Sequence, residues 1–108
     1  MATKDPREPF TRISVSEAKE KLDRGEAVMV DVREPNEFAH EHVEGAVNVP
    51  LSQLRARLEE LPRDRPLWLY CAVGQRAYFA QRQLLQHGFD AKNLSGGITT
   101  WRALRAAA

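Results

Sequence analysis

The stretch that decides the fold is Pro66-Leu67-Trp68-Leu69-Tyr70-Cys71-Ala72-Val73-Gly74-Gln75-Arg76. A short, wholly apolar run opened by proline reads as a buried strand. Residues 72–76 are few and include Gly74, as a tight loop requires. From Ala77 to His87 helix formers follow without a break, with Phe79, Ala80, Leu84 and Leu85 available for a core face and Gly88 as the stop. Strand, tight loop and helix make the first half of a parallel crossover unit. In an open α/β sheet, ligands bind beyond the carboxyl ends of the strands, which is where Cys71 falls.

Working outward, residues 1–12 mix Pro, Lys, Arg and Asp without periodicity and read as a flexible arm, leaving 13–108 as one domain. Ser14-Val15-Ser16-Glu17 fits a capping box. Val15, Ala18 and Leu22 then share a helical face that ends at Gly25. Ala27-Val28-Met29-Val30-Asp31-Val32 is a second buried strand, and Pro35 opens a short helix reaching about Glu41. Gly45-Ala46-Val47-Asn48-Val49-Pro50 is a brief strand. Leu51, Leu54, Leu58 and Leu61 recur at helical spacing, predicting an amphipathic helix capped by Ser52 and ended before Pro62. Arg63-Asp64-Arg65 turns the chain. Residues 90–94 suggest a last strand, Ser95-Gly96-Gly97 a loop, and 99–104 a terminal helix. Strands alternating with helices predict a small α/β domain, its mainly parallel sheet covered by helices on both faces.

Composition narrows the function classes. The 108 residues suffice for one domain, and 43% hydrophobic with 29% charged residues is too apolar for a disordered chain. One cysteine excludes an intramolecular disulfide and every multi-cysteine metal site. No apolar run reaches the roughly 18 residues of a membrane span, and MATKDPREPF lacks the apolar stretch of a signal peptide, so the expected compartment is the cytoplasm. A net charge of +1 argues against nucleic-acid and membrane partners. The total conceals an asymmetry: residues 1–61 carry nine basic and thirteen acidic side chains, whereas 62–108 carry seven and two. The basic segment contains Cys71; chance clustering on a solvated surface is one reading of the excess, and a pull on small anions the other.

A loop between a strand end and a helix start turns several backbone N–H groups toward one point, and the helix adds the positive end of its dipole. Both favour a thiolate at Cys71 or an anion beside it. Arg76, whose guanidinium offers a fork of donors, is placed to close that cradle. The competing reading of Cys71 is a small buried apolar residue. Asp31 and Arg33 stand at a strand end, and the expectation is a structural carboxylate–guanidinium pair rather than a substrate contact. His40 and His42 lie two apart, do not share a helical face and have no evident third ligand, so no metal site is expected; His42 instead orders the turn before Gly45. Trp101 is expected as a packed anchor, with lining of the site as the alternative. Gly96 and Gly97 are expected to serve backbone conformation.

Four signatures in order give a family resemblance from about 13 to 104: Asp31-Val32-Arg33-Glu34 with Glu37-Phe38; His42-Val43-Glu44-Gly45-Ala46-Val47-Asn48-Val49-Pro50; Cys71-Ala72-Val73-Gly74-Gln75-Arg76; and Gly96-Gly97 with Trp101. The chain resembles a single-domain rhodanese, of the sulfurtransferase family. That resemblance implies a rhodanese-like fold and a persulfide-carrying Cys71. It implies a donor-binding loop of Ala72, Val73, Gly74, Gln75 and Arg76, supported by Asp31, Arg33, His42 and Trp101, and no cofactor. Related phosphatases use a Cys-to-Arg loop one residue longer than the six found here. The implied partners are a small anionic sulfur donor such as thiosulfate, and a thiol or cyanide acceptor. Ala72 and Ala77 stand where many members carry basic or polar residues, which favours a larger or less charged persulfide donor. Similar loops occur beside disulfide-reductase-like flavoproteins, so a reductase or sulfur-relay protein is an implied partner. A non-catalytic interaction module of the same fold is the alternative, and a phosphatase a more distant one.

Overall fold

Leu67, Trp68, Leu69 and Tyr70 are all buried, because this strand, β4 (Leu67–Tyr70), is covered on both faces and flanked on both edges. The computed structural model describes residues 12–13, 15–73, 75–94 and 96–107. Around β4 lie β1 (Arg12–Ile13), β2 (Val28–Asp31), β3 (Val47–Asn48) and β5 (Ala91–Leu94), in the order β1-β5-β4-β2-β3. Every pairing is parallel, with Asp31 opposite Tyr70 and Asn48 opposite Asp31. The carboxyl ends of the strands therefore share one edge. The expected arm lies outside the described residues, save for Arg12 in β1.

Parallel strands need crossovers, and helices α1 (Val15–Asp23), α2 (Pro35–His40), α3 (Gln75–Gln86) and α4 (Gly97–Ala107) supply the helical layers. Period-two alternation sorts the core into two. Val30, Leu67, Leu69 and Ala91 pack with Leu54, Leu61, Ala77, Ala80 and Leu84 on one face. Met29, Trp68, Tyr70 and Leu94 pack with Ala18, Ile98 and Trp101 on the other. The expected α/β architecture, with both faces covered, is what the chain adopts. At Gly88, with φ of 85°, the chain leaves α3, and the Phe89 N–H closes onto the Leu84 carbonyl at 3.0 Å.

Local expectations fail in several places. The leucine stripe forms no α-helix: Leu51–Gln53 and Arg55–Glu60 are 3₁₀ turns, kinked at Arg57. Their bonds run to the third residue back, as from Leu54 N to Leu51 O and from Arg57 N to Leu54 O. Pro50 stands at the cap position, so Ser52 lies inside the first turn and caps nothing. The leucines still serve the core, with Leu54 and Leu61 buried and Leu51 and Leu58 packed against them. Helix α3 begins at Gln75 rather than Ala77, which places Arg76 on the helix. Phe79 faces solvent at 47% exposure, because Ala77, Ala80, Gln81 and Leu84 occupy the inner face. Gly97 is the first residue of α4 rather than part of the loop. The Ser14 half of the expected capping box, Gly74 and Ser95 lie outside the described residues.

Candidate active site

The strand order reverses between β4 and β2, since the chain leaves β2 toward β3 on one side and β4 toward β5 on the other. A crevice opens at such a point beyond the strand ends. Cys71 follows β4 directly at this crevice and is 1% exposed, packed with the cluster of Val32, Val49 and Ala77. Its Sγ accepts the Ala77 N–H at 3.4 Å, a first-turn amide of α3. First-turn amides lack partners within the helix, so this one stabilises negative charge on sulfur.

The loop is tied down from the opposite side by α4. The Ile98 N–H donates to the Cys71 carbonyl at 2.9 Å, and the Thr99 N–H and hydroxyl donate to the Ala72 carbonyl at 3.4 and 3.1 Å. No peptide in the described chain is cis. In a planar trans peptide the C=O and the following N–H point in opposite directions. With the carbonyls of Cys71 and Ala72 turned to α4, the N–H groups of Ala72 and Val73 are directed away from it, toward the side that carries Cys71. Gly97 makes the approach possible: a Cβ there would stand 2.3 Å from the Cys71 oxygen and 2.7 Å from that of Ala72. The glycine pair thus serves backbone geometry.

Arg76 reaches across the crevice. Its Nη1 and Nη2 donate to the two carboxylate oxygens of Glu37 on α2, at 2.7 and 3.0 Å. Glu37 also accepts the Glu34 N–H at 3.0 Å, closing a capping box at the start of α2. Hydrogen bonds from Arg76 pull the Glu37 carboxyl down to about 2; burial opposes this, and the Glu34 N–H and the charges of Arg76 and Arg33 add to it. Arg76 is raised in turn, chiefly by Glu37 and against burial, and the charges of Glu37, Cys71 and Asp31 contribute. Cys71 is therefore within electrostatic reach of this guanidinium.

Asp31 and Arg33 form the expected pair, both nearly inaccessible. Arg33 Nη2 and Nε donate to Asp31 at 2.8 and 3.1 Å, and the Arg33 N–H donates to the same carboxylate at 2.8 Å. Asn48 Nδ2 bridges the carbonyls of Asp31 and Arg33, each at 3.0 Å. Tyr70, opposite Asp31, accepts the Val43 N–H at 2.9 Å. Burial pushes its hydroxyl well above the usual phenol range; the Val43 amide opposes that rise and Asp31 adds to it. His42 stacks on Phe38 with centroids 3.9 Å apart, and its Nδ1 lies 2.8 Å from the Phe38 carbonyl, ordering the turn before Gly45. Trp101 is buried against the opposite sheet face from Cys71, where it also lines a cavity of about 360 Å³ with Lys19, Leu22, Asp23 and Glu44. The structure thus brings Cys71, Ala77 and Arg76 together and leaves Trp101 as packing. Gln75 and Val73 are exposed, Val73 at 68%.

Sequence reading passed over the roles of Glu37 and Thr99. Glu37 stands 39 positions from Arg76 and Thr99 stands 27 from Ala72, and no local spacing links such pairs. Only the place of Glu37 within the Glu-Phe element marked it. The expected pull of the basic segment on anions is also revised. Two of its arginines meet acids of the first segment, Arg76 with Glu37 and Arg102 with Glu41, which reduces that pull beside α2. Among the described residues no three His, Cys, Asp or Glu side chains are grouped as a metal would need, and no helix is long and apolar enough to cross a membrane.

Comparison with known proteins bears on the fold and the family. The chain is 45% identical over 76 residues to the uncharacterized protein YqhL of Bacillus subtilis, covering 69% of this chain and 60% of that one. It is 36% identical over 80 residues to a sulfurtransferase of Allochromatium vinosum, covering 73% and 75%. Among solved structures, Bacillus anthracis CoADR-RHD superposes with a TM-score of 0.86 at 33% identity, over 93% of this chain and 18% of that one. An NAD-dependent persulfide reductase from A. fulgidus does so with a TM-score of 0.70 at 36% identity, over 87% and 16%. The chain thus spans about three-fifths of the first of these relatives and less than a fifth of either solved structure. The model of the Rhodanese-like domain matches residues 14–104, nearly all of the chain, and the protein belongs to that family.

Proposed function

We propose that the protein is a sulfurtransferase in which Cys71 carries sulfane sulfur as a persulfide. The observation that carries this reading is the setting of Cys71 Sγ: beyond the central strand, bonded to a first-turn amide of α3 and backed by loop amides turned away from α4. In the first half-reaction the thiolate attacks the outer sulfur of the donor. A sulfur–sulfur bond forms, the donor's own S–S bond breaks, and the electron pair leaves with sulfite or an organic thiolate. In the second, cyanide or a thiolate attacks the outer sulfur of the Cys71 persulfide and restores the thiolate. No external oxidant or reductant is needed. Backbone N–H groups hold the negative charge in both steps, without a histidine base.

The donor suited to this site is an organic persulfide rather than thiosulfate. The exposed Val73 and the small Ala72 give the loop an apolar rim. The likeness to CoADR-RHD and to a persulfide reductase supports a low-molecular-weight persulfide as donor and a reductase-like or sulfur-relay protein as partner.

Incubation with glutathione persulfide, coenzyme A persulfide or thiosulfate is expected to add one sulfur atom to the intact protein, removable by cyanide. Transfer is expected to be faster from the organic persulfides. Equal labelling of a Cys71→Ser variant would refute the proposal, and faster transfer from thiosulfate would refute the choice of donor.

A further inference from the structure

Three acid–base pairs engage the arginines that follow β2 and lie on α3 and α4. Asp31 neutralises Arg33, Glu37 neutralises Arg76, and Glu41 neutralises Arg102. The Arg76–Glu37 pair differs from the other two in its place. It joins the two connections that part at the reversal of strand order, α2 leaving β2 and α3 leaving β4, and Cys71 stands at the end of that same β4 strand. It is also bidentate, with both oxygens of Glu37 engaged by two different nitrogens of Arg76. A guanidinium committed in this way has two of its five N–H donors engaged and its charge offset by the carboxylate, so it presents a weakened counter-charge to an incoming anion.

We propose that Glu37 is the positioning residue that sets donor specificity: by engaging the Arg76 fork and cancelling its charge, it denies small dianions a counter-charge beside Cys71 and leaves the site to persulfides recognised by backbone amides and apolar rim. This deepens the sulfurtransferase reading and rests on it for the identity of the donor. The electrostatic claim concerns the Cys71 sulfur itself and is measurable without any sulfur donor. Glu37 touches neither Cys71 nor the reacting atoms in this account. Its carboxylate acts only through Arg76.

The test is the ratio of Cys71 alkylation rates by iodoacetate, an anion, and iodoacetamide, which is neutral and nearly the same size. Because the reagents match in size, the burial of Cys71 cancels in the ratio and the local potential remains. In Glu37→Gln the amide oxygen can still accept the Glu34 N–H, but the negative charge is lost. The ratio is expected to rise by about 3- to 10-fold, the size of one unscreened charge at a partly exposed position. In Arg76→Gln, which leaves Glu37 uncompensated, it is expected to fall by a similar factor. The double variant is expected to return near the wild-type ratio. With sulfur donors, Glu37→Gln is expected to shift preference toward thiosulfate and away from coenzyme A persulfide. An unchanged ratio in both single variants, or a rise in Glu37→Gln that persists in the double variant, overturns the proposal. Persulfide formation absent from every variant while the ratios behave as expected would instead overturn the sulfurtransferase reading alone.

Discussion

Replacing Gly97 by alanine tests the claim that α4 shapes the loop by direct backbone contact. The added Cβ meets carbonyl oxygens of Cys71 and Ala72 at 2.3 and 2.7 Å and the Ala72 carbonyl carbon at 2.8 Å, all main-chain atoms with no side-chain freedom to yield. Gly97 also has φ of 60°, where an L-residue carries a penalty of about 1–2 kcal/mol. Overpacking against fixed atoms adds about 1–3 kcal/mol, so the expected loss is about 2–5 kcal/mol, a large share of a small domain's stability. Gly25 supplies the control: its φ is 69°, yet a Cβ there meets nothing within 4 Å. Gly25→Ala is therefore expected to show the conformational penalty alone. Urea denaturation followed by the fluorescence of Trp68 and Trp101, both buried, gives the two stabilities. In folded Gly97→Ala the Cys71 alkylation rate is also expected to change, because relief of the clash must displace the Cys71–Ala72 backbone. If Gly97→Ala loses no more stability than Gly25→Ala, the close approach of α4 is not what holds the loop.

Asp31→Asn is expected to cost about 3–5 kcal/mol, since it strands Arg33 as an uncompensated charge in a nearly inaccessible site; urea denaturation checks this, and a loss below 1 kcal/mol would refute the buried pair. Tyr70→Phe leaves the buried Val43 N–H without its acceptor and is expected to cost about 1–3 kcal/mol with little change in Cys71 alkylation. Protonation of Glu37 gives a pH dependence of definite sign. Its carboxyl sits at about 2 in the folded chain against a usual 4.5, so its contribution is complete above pH 4.5 and is lost as pH falls toward 2. The stability gap between wild type and Glu37→Gln should be constant from pH 5 to 7, shrink below 4.5 and close near 2, and a gap unchanged at pH 2 would contradict the assignment.

Features legible in the sequence were those set by neighbouring residues. The run 67–70 is apolar on every residue because both faces of β4 are buried, so its pattern alone marks a central strand. Asp31 and Arg33 are two apart, near enough for a paired reading, and the pair is present. The local pattern misleads where tertiary contact overrules it. The leucine stripe has helical spacing, but the Leu51 N–H is taken by the Val32 carbonyl beyond β2, and the segment winds tighter. Phe79 is apolar yet exposed, because three smaller or shorter side chains and Gln81 already fill the inner face of α3. The charge asymmetry was real in the sequence, but its consequence depended on which acid met which base.

That dependence bears on how the site handles an anion. A cradle built on free arginines would attract every small anion in solution, and its affinity would fall steeply with salt. Here the arginines at the strand ends are paired, and what remains to meet negative charge is the N–H of Ala77 and the loop amides set opposite the α4 clamp. Backbone dipoles act over a few ångströms and only along their own direction. They stabilise charge on the sulfur of Cys71 or on an atom bonded to it, and do little for a dianion approaching from a distance. Glu37 and Gly97 are thus complementary. Gly97 lets α4 turn the loop amides inward, and Glu37 removes the competing long-range field of Arg76. Under the proposed function, selectivity for a sulfane sulfur at Cys71 is expected to need both residues, and to be lost when either is replaced.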